Sequence, residues 1–311
     1  MNRTLNNFIL LKRITIMKKE NNNTILVTGS TGTVGSEVVK QLASSGHRIK
    51  AAIHTQNKAD KFKDNNAIDI VNIDYNKPET VADALNNVDK LFLVTLPSPN
   101  MTDISSNLVK EAKKNEIKHI VKLSVLGADA EPETILGQVH RQEEKIIEES
   151  GLPYSFLRPG AFMQNFVTFF GKSIREQNAF YLPTEEGKVS LVDVRDIASA
   201  AVVILSGNHS QYENKAYGIT GQEALSYGQA AEILSKELSR KISFVNISEE
   251  SARKGMKEMG MTDWLIDALL ELYGIIRAGH AAQITSSIED ITGRKPIVFS
   301  QFVKDYSKAL S

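Results

Sequence analysis

The stretch Thr24–Leu42, TILVTGSTGTVGSEVVKQL, decides how the rest of the chain is read. Ile25-Leu26-Val27 is a short continuous apolar run, the pattern of a strand buried on both faces. Gly29, Gly32 and Gly35 follow it. Val34, Val38, Val39 and Leu42 then fall on one face of a helix, which Ser45-Gly46 stops. Strand, glycine turn and helix in this order form a cradle for a pyrophosphate. Gly29 allows the tight turn, Gly32 lets the backbone approach the phosphates, and Gly35 lets the helix pack against the strand. The first N–H groups of the helix and the positive end of its dipole face the anion. A glycine triplet alone is common in surface loops; between a buried strand and an amphipathic helix it points to a dinucleotide. The spacing is G-x-x-G-x-x-G, and no G-K-[ST] follows, so a nucleoside-triphosphate P-loop is not supported.

The next apolar segment, His47–His54 (HRIKAAIH), reads as the second strand. In dinucleotide folds its end selects the cofactor: an acid there binds the ribose 2′-OH of NAD, and basic residues accommodate the 2′-phosphate of NADP. The sequence after it, Ile53-His54-Thr55-Gln56-Asn57-Lys58, has no acid and carries His54 and Lys58, with Lys61 beyond. This favours NADP(H), with NAD as the alternative. The competing reading makes these residues solvated charges at a helix start.

Further strands are expected at Ile68–Ile73, Leu91–Leu96, His119–Leu126 and Tyr154–Leu157, with helices between them near Lys77–Val88, Asp103–Asn115 and Gln138–Ser150. Strand and helix alternating every 25–30 residues or so mean βαβ units and a parallel sheet. The expected fold is α/β, a doubly wound parallel sheet of the Rossmann type spanning residues 17–160. Residues 161–311 form a smaller C-terminal α/β lobe interleaved with that sheet. It contains short strands near Val189–Val194, Ala216–Thr220 and Ile242–Ile247, and helices over Glu249–Met259 and Asp263–Arg277. Phe162, Met163, Phe166, Phe169 and Phe170 cluster at helical spacing and read equally as core or as the wall of a pocket for a flat apolar molecule. Residues 1–16 are basic, lack acids and have too short an apolar run for a signal-peptide core. They read as a disordered tail or upstream extension, a transit peptide being the other reading.

Composition narrows the function. The 311 residues are 41% hydrophobic and 24% charged, with 37 basic against 37 acidic side chains. No basic excess or stripe suggests nucleic acid as a partner. No run of 18 apolar residues suggests a membrane span. The chain has no cysteine, which removes disulfides, thiolate catalysis and cysteine-bound zinc, and suits a reducing compartment; a cytoplasmic location is expected. The six histidines lack metal-ligand spacing, so no metal is expected.

TGSTGTVG (28–35), Asp74-Tyr75 after the third strand, SGLPYSFLRPGAFMQN (150–165), VDVRDIA (192–198) and ITGRKP (291–296) together resemble the NmrA-like, atypical branch of the short-chain dehydrogenases and reductases. The resemblance runs from about Thr24 to the C-terminus, and SGLPYSFLRPGAFMQN followed by VDVRDIA is its most specific part. It implies an NAD(P)H-dependent reductase of quinones, azo or triphenylmethane dyes or similar flat apolar acceptors. It implies equally that some members bind the cofactor and regulate a protein partner without turnover.

One departure bears on the chemistry. The usual short-chain enzymes carry Y-x-x-x-K, in which Tyr donates a proton and Lys lowers its pKa. None of the eight tyrosines here has Lys four residues later. By similarity, His140 falls where related ether and isoflavone reductases place a catalytic Lys, and it reads as a proton donor, a substrate positioner or a helix-surface histidine. Ketone reduction leaves an alkoxide that needs an acid, whereas quinone reduction leaves a phenolate-type anion with a conjugate acid near pKa 10. Loss of the pair therefore argues against alcohol–ketone chemistry. The expected site has Gly29, Thr31, Gly32, Val34 and Gly35 on the pyrophosphate and His54 and Lys58 at the 2′-phosphate. Asp74 and Tyr75 lie near the adenine, and Thr95, Leu96 and Ser124 line the cofactor. His140 sits by the nicotinamide, with Phe162 and Met163 on the substrate side. The protein is expected to act on a small molecule as a monomer or homodimer.

Overall fold

The computed structural model describes residues 23–311 apart from 55–59, 64, 132 and 208. Seven parallel strands form the central sheet. In chain order they are β1 (Thr24–Val27), β2 (Arg48–Ile53), β3 (Ile68–Asn72), β4 (Lys90–Leu93), β5 (His119–Leu123), β6 (Tyr154–Pro159) and, after three short strands elsewhere, β10 (Lys215–Ile219). Their spatial order is β10-β6-β5-β4-β1-β2-β3. The direction of winding reverses between β1 and β4, whose register sets Val27 beside Phe92. A crevice must open at the carboxyl ends of that pair, because the chain leaves them in opposite directions.

Both faces of the sheet are covered, as its continuous apolar strands require. On one face lie α1 (Thr33–Ser44) and α5 (Val194–Ser206), packed through Val38, Val39, Leu42, Ile197, Ala201 and Ile204. On the other lie α2 (Pro78–Leu85), α3 (Met101–Lys114) and α4 (Ile135–Ser150), through Val81, Leu85, Leu108, Val109 and Ile147. The short strand expected at residues 216–220 is the seventh strand of the main sheet, pairing with β6 from Lys215↔Ser155 to Ile219↔Pro159. Propensity reveals a strand there; only the tertiary fold reveals its sheet.

The rest of the chain builds the lobe. β7 (Ala161–Phe162), β9 (Lys188–Val192) and β11 (Ala224–Ser226) form one small sheet, and β8 (Ala179–Leu182) pairs with β12 (Ser243–Asn246). A separate core of Met163, Phe166, Phe180, Leu234, Phe299 and Phe302 fills it. The helices α6 (Glu249–Glu258) and α7 (Asp263–Arg277) form a hairpin held by Ala252, Met256, Ile266 and Leu270, and this hairpin overhangs the crevice. Residues 1–16 and Lys58 lie outside the described residues. Among the described residues no helix is long and apolar enough to cross a membrane.

Candidate functional site

The carboxyl ends of β1 and β4 are stitched by one side chain. Thr28 Oγ1 donates to the Val94 carbonyl at 2.9 Å and accepts from the Val94 N–H at 2.7 Å. The turn that follows needs glycine for two separate reasons. Gly29 has φ +59°, the left-handed region. A Cβ on Gly35 would stand 2.2 Å from the Gly29 carbonyl oxygen, so α1 packs onto the turn only because that atom is missing. No side chain caps the N-terminus of α1 and its first turn has no acid, which leaves its leading N–H groups for an anion. These features fit the pyrophosphate of a dinucleotide.

The crevice widens into a cleft of about 1470 Å³, more than one drug-sized ligand needs. Gly29, Thr31, Gly32, Val34 and Gly35 line one end, with His54 and Tyr75 beyond β2 and β3. His54 Nδ1 donates to the Ile73 carbonyl at 3.1 Å, leaving Nε2 for a ligand. Burial pushes the Tyr75 hydroxyl up to about pKa 12, so it stays a neutral donor. Asp74 does not line the cleft; its carboxylate accepts from the Asn76 N–H at 3.0 Å and closes a turn beside Tyr75.

Thr95, Leu96 and Ser124 lie along the middle of the cleft, Leu96 on the rim at 80% exposure. Thr95 Oγ1 donates to Glu143 at 2.8 Å and Ser124 Oγ donates to Glu144 at 2.7 Å. Their hydroxyl hydrogens are thus committed to the protein. The far end carries an apolar wall of Phe162, Phe169, Phe170, Met256, Met259, Leu272 and Tyr273, with Lys172, Glu176 and Glu258 also lining the cleft. The aromatic cluster divides between the two readings. Phe162, Phe169 and Phe170 face the cleft, while Met163 and Phe166 are fully buried in the lobe core. Met163 therefore supports the wall from behind.

Between the two ends stands His140. The helix α4 starts three residues earlier than its apolar rhythm implies, because Thr134 caps it by accepting from the Gly137 N–H at 3.0 Å. Its inward face carries Leu136, His140, Glu143, Glu144 and Ile147, three of them polar. Two of these meet a lysine that sequence reasoning passed over. Lys122, in the middle of β5, is fully buried. Its Nζ donates to His140 Nδ1 at 3.1 Å and to the Leu123 carbonyl at 2.9 Å, and forms an ion pair with Glu143 Oε2 at 2.7 Å. Ser105 also donates to Glu143. Burial would raise the Glu143 carboxyl, but the neighbouring Lys122 ammonium, with the Ser105 hydroxyl, outweighs it and the carboxyl is held at about pKa 2. Burial, reinforced by the Lys122 ammonium, lowers the His140 pKa. Glu144 is matched by Arg158, which donates at 2.9 and 2.7 Å in a fork. The signal for Lys122 was a single cation inside the apolar run HIVKLSVL, facing a helix whose inward positions read H-x-x-E-E.

The fold and this cleft define a dinucleotide-binding α/β protein with an apolar second compartment. The sequence profile of the NmrA-like family matches residues 21–289, and the chain belongs to that family. It is 36% identical over 285 residues to the NAD(P)H azoreductase of Xenophilus azovorans, covering 92% of this chain and 98% of that protein. The structure of Citrobacter sp. triphenylmethane reductase complexed with NADP(H) superposes with TM-score 0.78 at 26% identity, over 91% of this chain and 99% of that one. The NADPH complex of the quinone oxidoreductase QOR2 of Escherichia coli superposes with TM-score 0.80 at 25% identity, over the same shares.

Proposed function

We propose that this protein is an NAD(P)H-dependent reductase of a flat, apolar acceptor such as a quinone or an azo compound. One observation carries the reading: a single cleft runs from the uncapped helix N-terminus, past His140, to a wall of aromatic and methionine side chains. The similarity to an azoreductase, a quinone oxidoreductase and a triphenylmethane dye reductase supports it. The bound cofactor supplies a hydride. The chain's own residues do the rest. Gly29, Thr31, Gly32, Val34 and Gly35 receive the pyrophosphate, Tyr75 flanks the adenine end, and His54 and Lys58 meet a 2′-phosphate. Phe162, Phe169, Leu272 and Tyr273 bind the acceptor's flat face and exclude water from it. His140 presents a ring N–H to the acceptor.

The alternative is a redox-sensing regulator that binds the cofactor without turnover. An apolar acceptor compartment serves no purpose in a sensor, and the polar cluster behind His140 supplies proton chemistry where the Tyr–Lys pair is missing. The test is loss of NADPH absorbance against a panel of quinones and azo dyes. Acceptor-dependent oxidation is expected. None anywhere in the panel, together with strong preference for one redox state of the cofactor, would establish the regulator instead. In the same samples calorimetry should find NADPH binding at least about tenfold tighter than NADH, the worth of one charge-assisted contact. Equal affinities would refute the roles given to His54 and Lys58.

A further inference from the structure

We propose that Lys122 and His140 form a proton relay, and that its purpose is to serve acceptors whose reduction leaves a strongly basic nitrogen anion, azo compounds above all. The inference rests on the reductase reading above. Lys122 Nζ donates to the Leu123 carbonyl and to His140 Nδ1 and is paired in charge with Glu143 Oε2 at 2.7 Å. His140 Nδ1 lies 3.1 Å from Lys122 Nζ and 3.4 Å from Glu143 Oε2; the shorter contact is to an ammonium, which can only donate, so Nδ1 is the accepting nitrogen and the hydrogen sits on Nε2. The ring lines the cleft, and the contact to Lys122 turns Nδ1 inward and leaves Nε2 for a ligand.

A neutral imidazole is a poor acid by itself, because losing Nε2–H would leave an imidazolate. Lys122 removes that difficulty by delivering a proton to Nδ1 as Nε2 gives one up. The imidazole then remains neutral throughout, and the amine left on Lys122 stays beside Glu143. Thr95 and Ser105 donate to the same carboxylate and hold it in place.

The N=N π bond of the azo group breaks. The two electrons and one hydrogen from the reduced cofactor form an N–H bond at one nitrogen. The electron pair moves to the other nitrogen, which takes the proton from His140 Nε2, and His140 takes one from Lys122. The acceptor leaves as a hydrazo compound and the cofactor leaves oxidised. Lys122 regains its proton from water by the reverse passage through His140 once the cleft empties. A quinone needs this far less, since its reduction leaves a phenolate-type anion with a conjugate acid near pKa 10.

Two variants and two readouts test the relay. Lys122→Arg keeps the positive charge but cannot release a proton. Lys122→Met/Glu143→Gln removes both buried charges together and so avoids an unpaired carboxylate. Nitrogen NMR of the imidazoles in cofactor-free protein should show His140 as the neutral Nε2–H tautomer in the wild type and in Lys122→Arg, and as a tautomer mixture in the double variant. Rates with an azo dye should fall on the order of 10²–10⁴ in both variants, and rates with a benzoquinone by less than about tenfold. Equal losses with both acceptors, or an Nδ1–H tautomer in the wild type, would overturn the relay. A wild type that reduces neither acceptor would overturn the reductase reading and the relay with it; the tautomer, read without cofactor, tells the two failures apart.

Discussion

A single buried lysine changes what His140 can be. Without Lys122, a histidine on α4 is one more helix residue; with it, the ring has a fixed tautomer and a proton source. The same environment makes stability depend on pH. His140 sits below its ordinary value of 6.5 through burial and the nearby Lys122 ammonium. The unfolded chain therefore takes up a proton first, and stability present above pH 6.5 is lost as pH falls below it. Glu143 acts in a lower window: its stabilisation is full above its ordinary 4.5 and disappears as pH falls towards about 2. His140→Phe should flatten the fall in urea midpoint between about pH 7 and pH 5 while leaving the steeper loss under Glu143's control. A slope of the same sign remains from His47, held down by burial and by Lys90. An unchanged slope between the two pH values would show that His140 is not neutral by design.

At the level of the element, the glycine turn and α1 act as one unit. The Cβ that Gly35 lacks would meet Gly29 oxygen at 2.2 Å, Gly29 carbon at 2.7 Å and Ser30 Cα at 3.1 Å, all backbone. No flexible side chain can yield there, so the helix itself must move. Gly35→Ala should lift the N-terminus of α1 off the turn and weaken NADPH by tenfold or more in a calorimetric titration. An unchanged affinity would mean that the helix terminus does not hold the cofactor. The α6–α7 hairpin works differently. It reaches over the cleft on four buried apolar residues of its own, and its cleft side carries Met259 at 60% exposure. Methionine adapts to irregular apolar shapes, as a site for varied flat acceptors requires.

Across the whole molecule, the segments most specific to the family turn out to be the joints between sheet and lobe. Asp193 of VDVRDIA is fully buried and caps α5 by accepting from the Arg195 N–H at 2.8 Å. It also accepts from Gln164 of AFMQN at 2.9 Å, and Gln164 in turn accepts from the Val194 N–H at 2.9 Å. Arg195 continues the joint to Asp305 at 2.7 Å, and Asp196 accepts from the Ile297 N–H at 2.7 Å. Asp193→Ala removes the helix cap and one acceptor each from Arg195, which keeps Asp305, and Gln164, and should cost roughly 1–3 kcal/mol in urea unfolding. A loss under about 1 kcal/mol would show that the joint is not what holds the lobe.

The sequence by itself determined the sheet and its cofactor. Buried parallel strands leave continuous apolar runs, the glycine turn leaves three glycines at fixed spacing, and the alternation of strand and helix admits one architecture. These signals are local, so each can be read within some twenty residues. The site beyond the cofactor was legible only in part. Gly29, Gly35, His54, Tyr75, His140 and Phe162 line the cleft as their positions implied, because strand ends and helix faces are local facts. Asp74 and Met163 turned inward or into a turn, since a side chain's direction within a motif is settled by neighbours distant in sequence. The tertiary structure alone decided that β10 completes the main sheet and that Phe166 is core while Phe169 is wall. It alone brought Lys122 of one strand to His140, eighteen residues on, and to Glu143 of the same helix. A buried charge is stable only beside its partner, and no local pattern records which partner the fold will supply.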